Sequence, residues 1–204
     1  MVSTSDTPAN QQNLALPEPR QIEGLQVRAL DDPRLVERIR VLDTYCLPVK
    51  YSDHYYDSYV RPCVNKFSCV AFYHGILVGS CTCRLEAGEG ENKVFLYIMT
   101  IAVLEPYRRL GIGSQLLGSV LRAAAADTKL HIQYVTLHMQ VNSPALLFYK
   151  AFGFEVAAEL PDYYPELEEK AAYLLRRSVY QPHFDPKHQN KAKGTGVKGA
   201  KKNG

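Results

Sequence analysis

The sequence predicts a single α/β domain of seven strands and four helices, and three observations carry that reading. Apolar residues make up 46% of the 204, enough for one core at the usual domain size. Runs with period-two apolar alternation are interleaved with stretches whose apolar residues recur at helical spacing. Between an apolar strand-like run, Phe95 to Val103, and an amphipathic stretch, Ser114 to Ala125, lies the turn Tyr107-Arg108-Arg109-Leu110-Gly111-Ile112-Gly113.

Each element follows in order. Leu25 to Leu30 alternates as a first strand, and Asp31-Asp32-Pro33 starts a helix whose Leu35, Val36, Ile39 and Leu42 share one stripe. Leu47-Pro48-Val49 breaks it. Asp53 is suited to cap a second, short helix through Tyr59, which Pro62 ends. Ser68 to Tyr73 and Ile76 to Leu85 are β-rich runs joined by a tight turn at His74-Gly75, and Phe95 to Val103 is the fourth strand. Ile112, Leu116, Leu117, Val120, Leu121 and Ala124 form the buried stripe of the third helix. Tyr134 to Gln140 is a strand, Ser143 to Ala151 a helix capped by Asn142 or Ser143, and Phe154 to Leu160 and Ala172 to Ser178 are the last strands. The order is βααβββαβαββ, with no internal repeat.

Composition sets the outer limits. Residues 1–21 are too polar to offset the entropy of ordering and read as a flexible arm; 22–180 form the folded domain; 181–204 read as a basic disordered tail. Residues 185–204 hold six lysines against one aspartate, so this stretch carries +5 of a net +3 and leaves the rest at −2. The five cysteines, Cys46, Cys63, Cys69, Cys81 and Cys83, are odd in number and lack a repeated spacing, which predicts reduced thiols and no metal. Cys81 and Cys83 flank Thr82 in a strand and share a face, as packing requires. No run approaches the roughly 18 apolar residues of a membrane span, and the N-terminus lacks the basic-then-apolar order of a secretory signal. The expectation is a cytoplasmic protein, with the nucleus open to it, and no membrane partner.

The turn before the third helix carries the chemistry. Gly111 and Gly113 let successive N–H groups face one point at a helix N-terminus, where the helix dipole favours an anion such as a pyrophosphate. A dinucleotide fingerprint would carry a further glycine and an acidic residue on a second strand, so this turn points to another phosphate ligand, coenzyme A.

This element order, with Arg108-Arg109-Leu110-Gly111-Ile112-Gly113 and then Asn142-Ser143-Pro144-Ala145-Leu146-Leu147-Phe148-Tyr149 about thirty residues on, resembles the GNAT acetyltransferases. Leu47-Pro48-Val49-Lys50-Tyr51, Leu96-Tyr97-Ile98-Met99-Thr100 and Asp162-Tyr163-Tyr164 narrow the resemblance to N-alpha-acetyltransferases of the NatE, or San, type. Two positions depart from that pattern: Leu47 stands where phenylalanine is usual, and Pro165-Glu166-Leu167-Glu168-Glu169 is acidic where a basic continuation is usual.

The resemblance implies a mixed, mostly antiparallel seven-stranded sheet, splayed between the fourth and fifth strands and flanked by four helices. It implies acetyl-CoA as cosubstrate, held by Ile101, Ala102, Val103, Arg108, Arg109, Leu110, Gly111, Ile112, Gly113, Ser114, Asn142, Ala145 and Tyr149. Tyr97 and His138 would deprotonate the substrate amine through a water, and Tyr149 would donate to the leaving thiolate. Leu47, Pro48, Val49, Tyr51, Met99, Tyr163 and Tyr164, with Tyr97 and His138, would hold a protein N-terminus that keeps its initiator methionine. An α-amine, with a pKa of about 7.7 to 8.0, needs less base strength than a lysine amine at about 10.4. Implied partners are the auxiliary and catalytic subunits of the NatA complex, and the lysine-rich tail suits contact with ribosomal RNA. The competing readings are lysine acetylation and a non-catalytic scaffold subunit.

Overall fold

The computed structural model describes residues 16–88 and 93–184. The rest of the expected arm, residues 1–15, and most of the expected tail, 185–204, lie outside the described residues. In chain order the elements are β1 (Leu25–Ala29), α1 (Leu35–Cys46), the helical segment α2 (Asp53–Tyr55, Tyr56–Val60 and Arg61–Cys63), β2 (Cys69–Tyr73), β3 (Ile76–Ala87), β4 (Lys93–Val103), α3 (Ile112–Ala125), β5 (His131–Gln140), α4 (Leu146–Ala151), β6 (Glu155–Leu160) and β7 (Ala172–Ser178). The seven strands form one sheet in the order β1-β2-β3-β4-β5-β7-β6. Only β4 and β5 run parallel; every other neighbouring pair is antiparallel.

Alternation along β2 shows how the layers form. Cys69 and Ala71 pack into the larger core with α3 and α4, whereas Val70 and Phe72 pack into a second core with α1. The two helices therefore cover opposite faces. Cys81 and Cys83 both enter the larger core with their sulfurs 4.0 Å apart, and all five thiols are free. The β2–β3 turn places His74 at φ 47° and Gly75 at φ 80°, the paired left-handed conformation of a two-residue hairpin.

Three local expectations are corrected. Pro62 does not stop α2: the chain widens by one residue per turn over Tyr56–Val60, then tightens over Arg61–Cys63, and Pro62 sits at the start of that last turn, where its missing N–H breaks no bond. Ser52, not Asp53, occupies the cap position of α2, and Asp53 lies in the first turn. The fourth helix begins at Leu146; ahead of it the Ser143 hydroxyl accepts the Ala145 N–H at 3.3 Å, so Ser143 caps a turn rather than opening the helix.

Residues 16–21, read from composition as part of the arm, lie against the domain. Leu16 packs on the larger core, as does Ile22, and Gln115 Nε2 donates to the Arg20 carbonyl at 2.6 Å. One half-buried leucine and one backbone acceptor tie down a segment whose composition is otherwise that of a loose end.

Candidate active site

The sheet opens where the resemblance implies. β4 and β5 pair from Lys93 and His131 to Tyr97 and Thr136 and no further, although β4 continues to Val103 and β5 to Gln140. Beyond that point β4 stays with β3 as far as Val103, and β5 stays with β7 as far as Gln140. The wedge between them is edged by backbone groups that do not pair across it, which is a place for a ligand with amide and carbonyl groups of its own.

Two bulges aim the side chains. Between Thr82–Thr100 and Cys83–Ile98 the register drops a residue, leaving Met99 without a counterpart on β3. Leu96 and Ile98 before it, and Ile101 and Val103 after it, all pack on the α3 side; Met99 packs instead against the cluster of Val36, Tyr56 and Val60, and Ala102 with the α1-side core. Gln133 is the extra residue on β5, so Ile132 and Val135 both face the larger core and Tyr134, Thr136 and His138 face the other way. Tyr97 and His138 thereby share a face: Tyr97 Oη lies 3.1 Å from His138 Nδ1 and 3.3 Å from Tyr163 Oη, and the Tyr163 ring stacks on the imidazole at 4.1 Å.

Electrostatics divides the labour between them. Burial holds His138 below its ordinary value of 6.5, with Glu86 pulling the other way, so the imidazole is neutral at pH 7 and accepts a proton. Burial, and then the Tyr163 hydroxyl, pushes the Tyr97 phenol well above 10, which keeps it a hydroxyl rather than a phenolate. Since Tyr97 keeps its proton, a consistent hydrogen-bond order has Tyr163 donating to Tyr97 and Tyr97 donating to His138 Nδ1, with the imidazole proton on Nε2.

A cleft of about 310 Å³ opens beside this chain of hydroxyls. Of the residues the sequence proposed for it, Val49, Tyr51, Tyr97, Met99, Tyr163 and Tyr164 line it. Leu47 packs instead into the α1-side core, and Pro48 is exposed. Tyr55, Arg84, Pro165 and Glu166 line it without having been foreseen. Tyr55, in the first turn of α2, stacks on Tyr51 of the preceding segment at 4.2 Å. Arg84 is the β3 partner of Tyr97, a relation that only the register reveals.

At the open end of the wedge stands the N-terminus of α3. Arg109 at φ 65° and Gly111 at φ 94° turn the chain into it, and the N–H groups of Ile112, Gly113 and Ser114 begin the helix with no carbonyl ahead of them. Gly111 meets Ile22, whose Cδ1 lies 3.6 Å from the position a Cβ would take; the same point on Gly113 has only Phe148 within reach, at 3.8 Å. Arg108 and Arg109 are exposed, and Arg108 Nε donates to the Val103 carbonyl at 3.0 Å, pinning the turn to the end of β4. Leu110 is exposed. Tyr149 on α4 is 6% exposed, its ring packed by Phe148 and Phe154, and burial raises its phenol above the usual value. Asn142 is exposed in the turn before α4, and Ala145 is half-buried against the larger core.

Residues 36–154 match the model of the acetyltransferase (GNAT) family. The chain belongs to the GNAT family. Within that family it is similar to N-alpha-acetyltransferase 50 of Danio rerio, 34% identical over 76% of this chain and 89% of that one. The probable N-acetyltransferase san of Drosophila melanogaster is 33% identical over 72% of this chain and 77% of its own. Arabidopsis thaliana Naa50, solved with the bisubstrate analogue CoA-Ac-MVNAL, superposes with a TM-score of 0.67 at 35% identity, covering 76% of this chain and 99% of that one. The GNAT chain described here is an N-alpha-acetyltransferase of the Naa50 and San kind, and acetyl-CoA is its cosubstrate. The wedge, the unpaired amides of α3 and the open space at Gly113 fit a pantetheine arm and a pyrophosphate. Among the described residues, no group of three or more His, Cys, Asp or Glu side chains is arranged to hold a metal ion.

Proposed function

We propose that this acetyltransferase modifies the α-amine of polypeptides that keep their initiator methionine, working on nascent chains beside the NatA subunits. The hydrogen-bonded pair Tyr97 and His138, at the edge of a tyrosine-lined cleft, carries the reading. An α-amine with a pKa of about 7.7 to 8.0 already has a neutral fraction at pH 7, so a neutral imidazole is base enough. The amine proton passes through a water to the Tyr97 hydroxyl, which hands its own proton to His138 Nδ1. Acetyl-CoA supplies the activated acetyl group. Backbone N–H groups along the parted end of β4 stabilise charge on the acetyl oxygen, and the Tyr149 hydroxyl protonates the sulfur as the bond to carbon breaks. Val49, Tyr51 and Tyr164 suit a neutral methionine side chain, and a sequence beginning with Met is what the bisubstrate analogue on Arabidopsis Naa50 carries. The +5 stretch 185–204 is assigned to ribosomal RNA, an electrostatic tether for an enzyme that meets its substrates as they emerge.

The test is a peptide panel. With acetyl-CoA, peptides beginning Met-Leu and Met-Lys are acetylated at the N-terminus at least tenfold faster than peptides beginning Ser-Glu or Ala-Ser, measured by mass spectrometry. Acetyl groups found on internal lysine and absent from the N-terminus would sink the reading.

A further inference from the structure

The lining of the cleft contains two charged side chains, Arg84 and Glu166, and they are placed differently. Arg84 is satisfied within the protein. Its Nε and Nη2 donate to Glu86 Oε1 at 2.8 and 2.6 Å, and its guanidinium lies over the rings of Tyr97 and Tyr59 at 5.0 and 5.7 Å. Glu166 is exposed and forms no ion pair among the described residues.

The backbone beneath Glu166 is held on both sides. Leu167 N–H donates to the Tyr164 carbonyl at 3.1 Å, and Tyr164 N–H donates to the Lys170 carbonyl at 3.0 Å. Farther on, Glu169 uses its own Oε1 to accept the Ala171 N–H at 2.9 Å, and Gln140 Nε2 donates to the Glu169 carbonyl. Of the acids on this turn, Glu169 is spent on its own backbone and Glu168 does not line the cleft, so the carboxylate that meets a bound chain is that of Glu166. On the opposite wall Lys50 lies between Val49 and Tyr51 but is exposed outside the lining.

With the substrate amine at Tyr97 and His138, Tyr164, Pro165 and Glu166 are the lining residues left to meet the second and following residues. We propose that Glu166 selects N-termini that carry Lys or Arg within the few residues after the first, and selects against Asp or Glu there. The inference rests on the reading of this cleft as the seat of a protein N-terminus. Exposed charges a few ångströms apart exert modest forces, so the expected discrimination is about 3- to 10-fold per charge and shrinks with salt.

Three peptides identical except for Lys, Gln or Glu at the second position, all beginning with Met, test it by kcat/KM. In low salt the wild type favours Lys over Glu by about tenfold or more, and 0.5 M NaCl compresses the ratio. Glu166→Gln, which keeps the size of the side chain, brings the ratio to within about twofold of unity; Glu166→Arg inverts it; Glu168→Gln leaves it as in the wild type. A wild-type ratio near one, or a Glu166→Gln ratio equal to the wild type's, overturns the assignment while Met-initiated peptides are still acetylated. No acetylation of any Met-initiated peptide overturns the reading of the cleft and this inference with it.

Discussion

His138, half-buried, and Asp43, fully buried, are two titratable residues whose environments push them in opposite senses. His138 is held below 6.5 by burial, so its neutral form is fully present at pH 7 and is lost only as the pH falls beneath that value. Removing it in His138→Ala leaves the α-amine to lose its proton unaided, which happens as the pH passes about 8. We expect kcat/KM to drop by about 10²-fold at pH 7 and the deficit to narrow steadily toward pH 9, read from a full pH–rate profile; Tyr97→Phe behaves in the same way because it cuts the same relay. A deficit that is constant across pH would mean that these residues serve structure alone. Asp43, on α1, is 1% exposed; its Oδ2 accepts from Tyr56 at 3.3 Å while Oδ1 has no partner. Burial pushes its carboxyl from 3.8 to about 7, against the weaker opposing pull of Tyr56. The folded state thus binds the proton more tightly than the unfolded chain, so this residue takes stability away as the pH rises from about 4 to about 7. Asp43→Asn keeps an acceptor for Tyr56 without the charge. It should raise the unfolding free energy by about 2–4 kcal/mol at pH 8 and change it little at pH 4, measured by urea titration at both values.

At the level of elements, the strands and helices were legible and the irregularities that aim them were not. The stripe on α3, the alternation of Leu25 to Leu30 and the β-rich runs of β2 and β3 are signals that a sequence displays directly. Leu96-Tyr97-Ile98-Met99-Thr100-Ile101-Ala102 is nearly continuous in apolar character, so period two assigns it no face, and the extra residue at Met99 that reverses the alternation leaves no local mark. The bulge at Gln133 is equally silent. That Tyr97 and His138 meet was readable only through a family resemblance; their meeting at 3.1 Å depends on the pairing between β4 and β5 ending where it does. Missed wall residues have the same origin. Arg84 reaches the cleft through cross-strand register and Glu166 through a turn closed by backbone bonds, neither of which has a signature in spacing. Leu47, conversely, sits in the right segment but does not line the cleft; it is half-buried against the α1-side core, where an aliphatic side chain is suited.

On the scale of the molecule, the ends of the sheet are assigned to different tasks. The open end carries the wedge, α3's first turn and the tyrosine cleft. The closed end, where β4 and β5 still pair, is fastened by Gln181, whose Nε2 donates to the carbonyls of Ala124, Asp127 and Leu130 while its Oε1 accepts the Ile132 N–H. Phe184 then stacks on His131 at 4.9 Å, at the start of β5. His138 lies seven residue steps along β5 from His131, about 23 Å of extended strand, so Phe184, the last described residue, stands far from the reacting atoms. Six lysines follow in residues 185–204. If they bind ribosomal RNA through phosphates, each engaged lysine adds about 0.9 or less to the slope of log affinity against log salt. Deleting 185–204 should therefore weaken ribosome co-sedimentation most at low salt and flatten its salt dependence, with kcat/KM on a Met-Leu peptide unchanged. Parallel loss of binding and peptide turnover would instead mean that the tail supports the fold, and unchanged co-sedimentation would remove RNA from the list of its partners.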